Sequence, residues 1–221
     1  MEKESECLTM EEQYANGFLF MTAGTDTIAS ALSAITFYLL RNPHHLDRVT
    51  NEVRSKFSTS EHMSLEALAS LPYLQAVIQE GLRLHPPLPV ALPRVIPKGG
   101  ARVGGEWVPG GTIVGIHFLS IHTQELYFKN ALEFHPQRWL HDPEFKDDQL
   151  DMAKPFLMGP FNCIGKVWGP DDLPSTLLAS LFLNFDVRLS QGSFDWNKMK
   201  VYTLWQKKPL LCELLSAKSK V

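Results

Sequence analysis

The chain has 221 residues, 44% of them apolar and 20% charged, and 21 Lys+Arg against 24 Asp+Glu leave a net charge of -3. That hydrophobicity and charge balance exclude charge-driven disorder, and the lack of a long basic run excludes the electrostatic footprint of a nucleic-acid binder. Three scattered cysteines, Cys7, Cys163 and Cys212, are too few for a disulfide framework and point to a reducing compartment. The start, Met1-Glu2-Lys3-Glu4, is acidic with no apolar run directly behind it, which argues against a secretory signal.

In chain order, the first expected element is a helix over about 10 to 41. From Gln13 to Leu40 the only charge is Asp26, so the segment is long enough to cross a bilayer. Thr22, Gly24, Thr25, Asp26, Thr27 and Ser30 place a polar cluster at its middle, and an Asp at mid-bilayer costs roughly 2.5 to 3.5 kcal/mol. The segment therefore reads as a core helix, buried on most sides, of a protein larger than it could surround alone.

After the Asn42-Pro43 break a second helix carries Leu46, Val49 and Val53 at helical spacing. Ser64 is placed to cap a short helix ending near Leu71. Pro72 fits the first turn of the next, which runs to Leu84 with Leu74, Val77, Ile78 and Leu82 as its apolar stripe. From 86 to 122 the chain reads as short strands between turns: Arg94-Val95-Ile96, Ala101-Arg102-Val103, Glu106-Trp107-Val108, then Thr112 to Phe118. This predicts a small antiparallel sheet. His117 and His122 flank its last strand and receive no role. Residues 130 to 162 are aromatic, Pro-rich and irregular, a length of connection that implies function. Leu177 to Phe185 predicts a buried helix, with recovery of the pattern to Asp186, and Val201 to Leu215 predicts terminal strands. The fold class is mainly α with a small antiparallel β-sheet.

The irregular stretch ends in Phe156-Leu157-Met158-Gly159-Pro160-Phe161-Asn162-Cys163-Ile164-Gly165-Lys166. Glycines four before and two after a cysteine let the backbone turn tightly and approach a flat object, and a thiolate is a strong soft ligand for iron. Taken alone, a cysteine without a second Cys or His at ligand spacing reads as a buried apolar residue. Asp26-Thr27 taken alone reads as a threonine bonded back to its own helix. Glu80 and Arg83, three apart, read as a solvated ion pair worth under about 1 kcal/mol.

Four motifs together change these readings. Ala23-Gly24-Thr25-Asp26-Thr27, Glu80-Gly81-Leu82-Arg83, Phe134-His135-Pro136-Gln137-Arg138-Trp139 and the Cys163 loop stand in the order and approximate spacing of one family. The chain resembles the C-terminal half of a fungal-type cytochrome P450, a haem-thiolate monooxygenase, from about Gly17 to Lys166 and again from Leu177. The resemblance implies a single truncated domain over 1 to 221. Its parts are a central oxygen-activation helix over 17 to 41, the small sheet over 86 to 122, and a meander with the cysteine loop over 130 to 166. It implies Cys163 as axial ligand of haem iron, with Arg94 on a propionate and Phe156, Gly159 and Gly165 shaping the haem-binding loop. It implies Asp26 and Thr27 as the pair that delivers protons during dioxygen cleavage, and Glu80, Arg83 and Arg138 as a structural charge cluster seating that loop.

The resemblance further implies a small organic substrate, insertion of one oxygen atom from dioxygen, and electrons from NADPH through a separate reductase. Secondary metabolism is the expected setting. Members are often anchored in the endoplasmic reticulum; this chain is expected to be intracellular without an anchor, its N-terminal half having no counterpart here. The rival expectation is a catalytically inactive truncated fragment, which folds poorly alone or associates with another protein through exposed apolar surface. Three departures from the family pattern stand out. Phe161 replaces an Arg that would pair with a propionate, removing a contact of roughly 1.5 to 3 kcal/mol. Gln137 stands where Glu is usual. The stretch Val167-Trp168-Gly169-Pro170-Asp171-Asp172-Leu173-Pro174 should stop any helix from starting before about Leu173.

Overall fold

The computed structural model describes residues 7–168 and 172–217. Helix α1 (Met10–Arg41) opens with a capping box. The Thr9 hydroxyl accepts from the Glu12 amide at 3.2 Å, and the Glu12 carboxylate accepts from the Thr9 amide at 2.8 Å. It closes at Asn42, whose side-chain amide donates to the Tyr38 carbonyl, and Pro43 starts α2 (Pro43–Lys56) at once. Burial along α1 corrects the expectation of a helix covered on most sides: only the stretch from Ser30 to Leu39 contains its buried residues. Tyr14, Phe18, Leu19, Phe20 and Met21 are exposed, because the helices that pack on α1 do so through its C-terminal third. By length and composition α1 is long and apolar enough to cross a membrane.

Ser64 caps α3 (Leu65–Ala69) by accepting from the Ala67 amide. Helix α4 (Pro72–Leu84) begins with Pro72 and takes its cap from another helix: the two Glu52 carboxylate oxygens of α2 accept from the Tyr73 and Leu74 amides at 2.9 and 2.8 Å. This carboxylate satisfies two otherwise unpaired donors at the positive end of α4. The core lies where α1, α2 and α4 meet α6 (Asp172–Asn184), with Ile35, Leu39, Val49, Val53, Val77, Ile78, Leu178 and Phe182 buried together. Helix α6 starts within a residue of the expected Leu173; Gly169, Pro170 and Asp171 of the expected break lie outside the described residues.

The single small sheet resolves into two antiparallel pairs. Strand β1 (Arg94–Val95) pairs with β4 (Ile113–Val114), and β2 (Ala101–Val103) with β3 (Glu106–Val108). The last strand does not reach Phe118. His117 Nδ1 accepts from the Ser120 amide and turns the chain into the short helix α5 (Phe118–His122), so His117 and His122 bracket a helix and do not flank a strand. The 130 to 166 segment is a meander of 3-10 turns. The helix expected to end at Phe185 ends at Asn184, and Phe185–Leu189 forms β5, paired with β6 (Cys212–Ser216). Of the strands expected over 201 to 215, only β6 and an isolated Val201–Trp205 bridge form.

Candidate haem-thiolate site

Glu80 and Arg83 sit one turn apart on α4, and both side chains are fully buried. Glu80 Oε1 accepts from Arg83 (2.8 Å), from Arg138 Nε (3.0 Å) and from the His135 amide (2.9 Å). Its Oε2 accepts from Arg83 Nε and from the Trp139 indole, each at 2.9 Å. Arg83 donates onward to the carbonyls of His122, Ala131 and Glu133, and Arg138 to the Lys129 carbonyl and the Asp148 carboxylate. The Phe128 ring lies against both guanidinium groups, its centre 5.0 Å from Arg83 Cζ and 5.8 Å from Arg138 Cζ. Burial pushes the Glu80 carboxyl upward, but the Arg83 hydrogen bonds and charge, with Arg138 and the His135 amide, outweigh it and hold the group below the usual carboxylate range.

The cluster is therefore desolvated, unlike the solvated pair that i,i+3 spacing alone suggests. It fastens the meander to α4 through both side chains and backbone carbonyls. Trp139, quoted in the motif without a role, and Asp148 also belong to it; Asp148 escapes sequence reasoning, because the meander has no periodicity that would place it. The buried side-chain oxygen of Gln137 finds no hydrogen-bond partner among the described residues.

Sequence reasoning also misses His122. Its ring is fully buried, with Nδ1 3.1 Å from the Arg83 carbonyl and Nε2 3.0 Å from the Lys154 amide. Burial is the main force lowering its pKa, to about 4. The sequence signal that could have found it is a histidine directly after the mostly apolar Phe118-Leu119-Ser120-Ile121.

Beyond Lys154 the chain enters the cysteine loop. Leu157 donates to the Lys154 carbonyl at 3.0 Å, and Cys163 donates its amide to the Phe156 carbonyl at 2.9 Å. Phe156 itself packs on the core. Gly159 has φ +78, where a side chain would be strained, so its glycine is needed for the turn. A Cβ at Gly165 would touch Cys163 Sγ at 3.4 Å, so glycine keeps the side of the sulfur open. Cys163 is a free, exposed cysteine, not the buried apolar residue that its isolation in sequence suggests. Met158, Phe161 and Ile164 beside it are exposed too. Arg94 lies across from the loop with its guanidinium carbon 5.5 Å from the Phe161 ring centre, so strand β1 and the loop form one surface.

These residues fit a haem. Among the described residues no group of three or more His, Cys, Asp or Glu side chains is placed to hold a metal ion by itself. One accessible thiol, ringed by apolar side chains with a cationic fork at the edge, suits an iron already held in a macrocycle.

Asp26 and Thr27 sit on α1 and engage other partners. The Thr27 hydroxyl donates to the Ala23 carbonyl at 2.5 Å, the back-bonded arrangement expected of an isolated helical threonine. Asp26 pairs with Lys207. The structure thus brings together Glu80, Arg83 and Arg138 as one cluster, and Cys163, Phe156, Gly159, Gly165 and Arg94 as one surface, while the polar contacts of Asp26 and Thr27 run to Lys207 and Ala23.

The cytochrome P450 family profile matches residues 1–213. Among curated relatives, the cytochrome P450 monooxygenase efuB of Hormonema carpetanum is 39% identical over 208 residues, covering 94% of this chain and 41% of the relative. The cytochrome P450 monooxygenase FUM2 of Gibberella moniliformis is 38% identical over 216 residues, 97% of this chain and 46% of the relative. The cytochrome P450 monooxygenase alt3 of Alternaria solani is 41% identical over 198 residues, 88% of this chain and 39% of the relative. The chain spans less than half the length of these relatives. With the profile match running through the buried α4–meander cluster and the cysteine loop alike, the chain belongs to the cytochrome P450 family.

Proposed function

We propose that this chain carries the haem-thiolate part of a monooxygenase that inserts one oxygen atom of dioxygen into a small organic substrate, in fungal secondary metabolism. The balance is substrate C–H, dioxygen, NADPH and a proton going to substrate C–OH, water and oxidised NADP, with a separate reductase passing on the two electrons. The bound haem would supply dioxygen activation. The carrying observation is the continuous anchorage of the cysteine loop: a buried charge cluster holds the meander, and the meander presents Cys163 with its amide tied to the Phe156 carbonyl.

In this reading Cys163 would hold the haem iron through its Sγ, left open by Gly165. Gly159 turns the loop, Phe156 ties it to the core, and Arg94 offers guanidinium donors to a propionate. Thr27 holds its hydroxyl proton toward the Ala23 carbonyl, and the Asp26 carboxylate is held by Lys207. Delivery of a proton from Thr27 then requires its hydroxyl to rotate off Ala23.

A second reading, a catalytically inactive cytochrome P450 fragment, is favoured by the exposed apolar side chains of Tyr14, Phe18, Leu19, Phe20 and Met21 and by the engagement of Asp26 with Lys207. One experiment separates the two. The purified chain, supplied with haem, should give the red-shifted Soret band of a reduced, carbon-monoxide-bound haem thiolate, and Cys163→Ser should abolish it. Retention of that band by Cys163→Ser would sink the ligand assignment. A band from the natural chain, with substrate-dependent NADPH consumption when reductase is added, supports the monooxygenase; a band without turnover supports the inactive fragment.

A further inference from the structure

The His122 ring bridges two elements through opposite hydrogen-bonding roles. Nδ1 faces a carbonyl, that of Arg83 at the end of α4, and can only donate to it. Nε2 faces an amide, that of Lys154, and can only accept from it. Only the neutral tautomer with its proton on Nδ1 satisfies both. The bridge is closed on one side by the Arg83 side chain, whose Nη1 donates to the His122 carbonyl.

On the other side lies the turn that leads to the cysteine. The Lys154 carbonyl accepts from Leu157, and Leu157 has φ +63, a left-handed conformation that a leucine holds only when its surroundings fix it. The Phe156 carbonyl within that turn accepts the Cys163 amide. We propose that His122 is a positioning residue for Cys163: its Nε2 pins the Lys154 amide at the start of the strained turn, and so couples the Glu80–Arg83–Arg138 cluster to the loop that presents the thiol. The inference deepens the haem-thiolate reading and, for its functional meaning, rests on it.

Two substitutions split the bridge. In His122→Asn the side-chain amide keeps the position of Nδ1, donates to Arg83 and loses the acceptor for Lys154. In His122→Gln the side-chain oxygen reaches the position of Nε2 and keeps the Lys154 amide satisfied. Native-state hydrogen exchange, followed residue by residue in the haem-free chain, reads the difference. His122→Asn should speed exchange at the Lys154, Leu157 and Cys163 amides by about 2- to 10-fold, the loss expected for one net hydrogen bond, and leave Val77 and Ile78 of α4 unchanged. His122→Gln should restore slow exchange at all three loop amides.

Unchanged loop exchange in His122→Asn, or equal acceleration of the loop and of α4, would overturn the proposal, since a purely structural role moves all amides together. A check that needs no variant is the 15N spectrum of the natural chain at pH 7. It should show His122 neutral with the proton on Nδ1, and a proton on Nε2 would overturn the bridge. With haem supplied, His122→Asn should show a smaller thiolate-type Soret band than His122→Gln. If the exchange pattern holds but the natural chain gives no such band, the bridge stands and the haem reading fails; equal bands in the two variants, with a band in the natural chain, would refute the coupling to Cys163.

Discussion

Gly81 of α4 lies so close to Ile35 of α1 that a Cβ built on it would stand 2.3 Å from Ile35 Cγ1 and 3.4 Å from Ile35 Cβ. The approach involves the branched base of the isoleucine, not a movable tip, and Ile35 is itself fully buried. The glycine between Glu80 and Leu82 therefore sets how near the two helices run. Gly81→Ala should destabilise the fold by about 1 to 3 kcal/mol through overpacking, although alanine is the better helix former by roughly 1 kcal/mol. Ile35→Ala combined with Gly81→Ala should recover part of the loss. A thermal midpoint in Gly81→Ala equal to or above that of the natural chain would show that the helices can part without cost.

Removal of Arg83 leaves Glu80 buried with two of its five hydrogen bonds gone and the carbonyls of His122, Ala131 and Glu133 without that donor. Breaking one partner of a buried ionic cluster costs about 3 to 5 kcal/mol, a large share of the 5 to 15 kcal/mol that stabilises a typical domain. Arg83→Ala should lose most of its folded yield, while Lys56→Ala, at an exposed position of α2, should be indistinguishable from the natural chain. Arg83→Lys should not rescue, because one ammonium cannot serve both Glu80 oxygens and the carbonyls beyond them. Equal yields and midpoints for Arg83→Ala and Lys56→Ala would show the cluster to be energetically solvated.

Three histidines make the fold acid-sensitive above the range where carboxylates titrate. Burial is the leading cause that brings His45, His85 and His122 to about 4 from the ordinary 6.5. Between those two values the unfolded chain binds protons that the folded chain refuses. Their contribution to stability is full above pH 6.5 and is lost as pH falls toward 4, at about 1.4 kcal/mol per pH unit for each ring. Glu80, held low, adds a further loss only below the ordinary carboxylate pKa near 4.5. Chemical denaturation at pH 7.5, 6.5, 5.5 and 4.5 should therefore show a plateau and then a decline.

His85→Phe should flatten that decline. The ring stacks on Trp205 at 4.2 Å with a 16° tilt, and its Nε2 has no hydrogen-bond partner among the described residues, so phenylalanine keeps the stack and removes an unmet polar atom. Stability of His85→Phe at pH 7.5 should equal or exceed that of the natural chain. An unchanged acid slope in this variant would mean that His85 titrates normally in the fold.

The exposed apolar stretch of α1 predicts association in solution. Phe18, Leu19, Phe20 and Met21 follow one another with more than half of each surface open, beyond the scattered apolar exposure of a soluble monomer. The purified chain should run as an oligomer or aggregate in light scattering. Phe18→Gln with Leu19→Gln should shift it toward the monomer without altering the thermal midpoint. A monodisperse natural chain would contradict this.

The helical part of the fold is legible in the sequence because its signals are local. Ser64 and Pro72 announce helix starts in one residue, and the apolar stripe from Leu74 to Leu82 has the helical period. Strand β5 is hidden by its neighbour: Phe185 closes the apolar run from Leu177, so the short alternation Phe185-Asp186-Val187-Arg188-Leu189 is read as its tail, whereas pairing with Cys212–Ser216 makes it a strand. In the site, the spacing of Glu80 and Arg83 is visible, but their burial is not, since it comes from carbonyls 39 to 50 residues away. Asp148 and His122 stay hidden because their partners lie across irregular backbone. The exposure of Tyr14 to Met21 is a property of what packs on α1, which no pattern within α1 records.

The Glu52 cap on α4 predicts an order of assembly. Its contacts with Tyr73 and Leu74 close over 21 and 22 residues, whereas Glu80 meets His135, Arg138 and Trp139 over 55, 58 and 59. Loop-closure entropy rises with that separation, so the α2–α4 pair can form while the meander is still open. During that interval Glu80 and Arg83 have only each other and water, and docking of the meander is the event that dries them. Substitutions at Glu52 should thus act on the rate of folding, and those at Arg138 on the rate of coming apart.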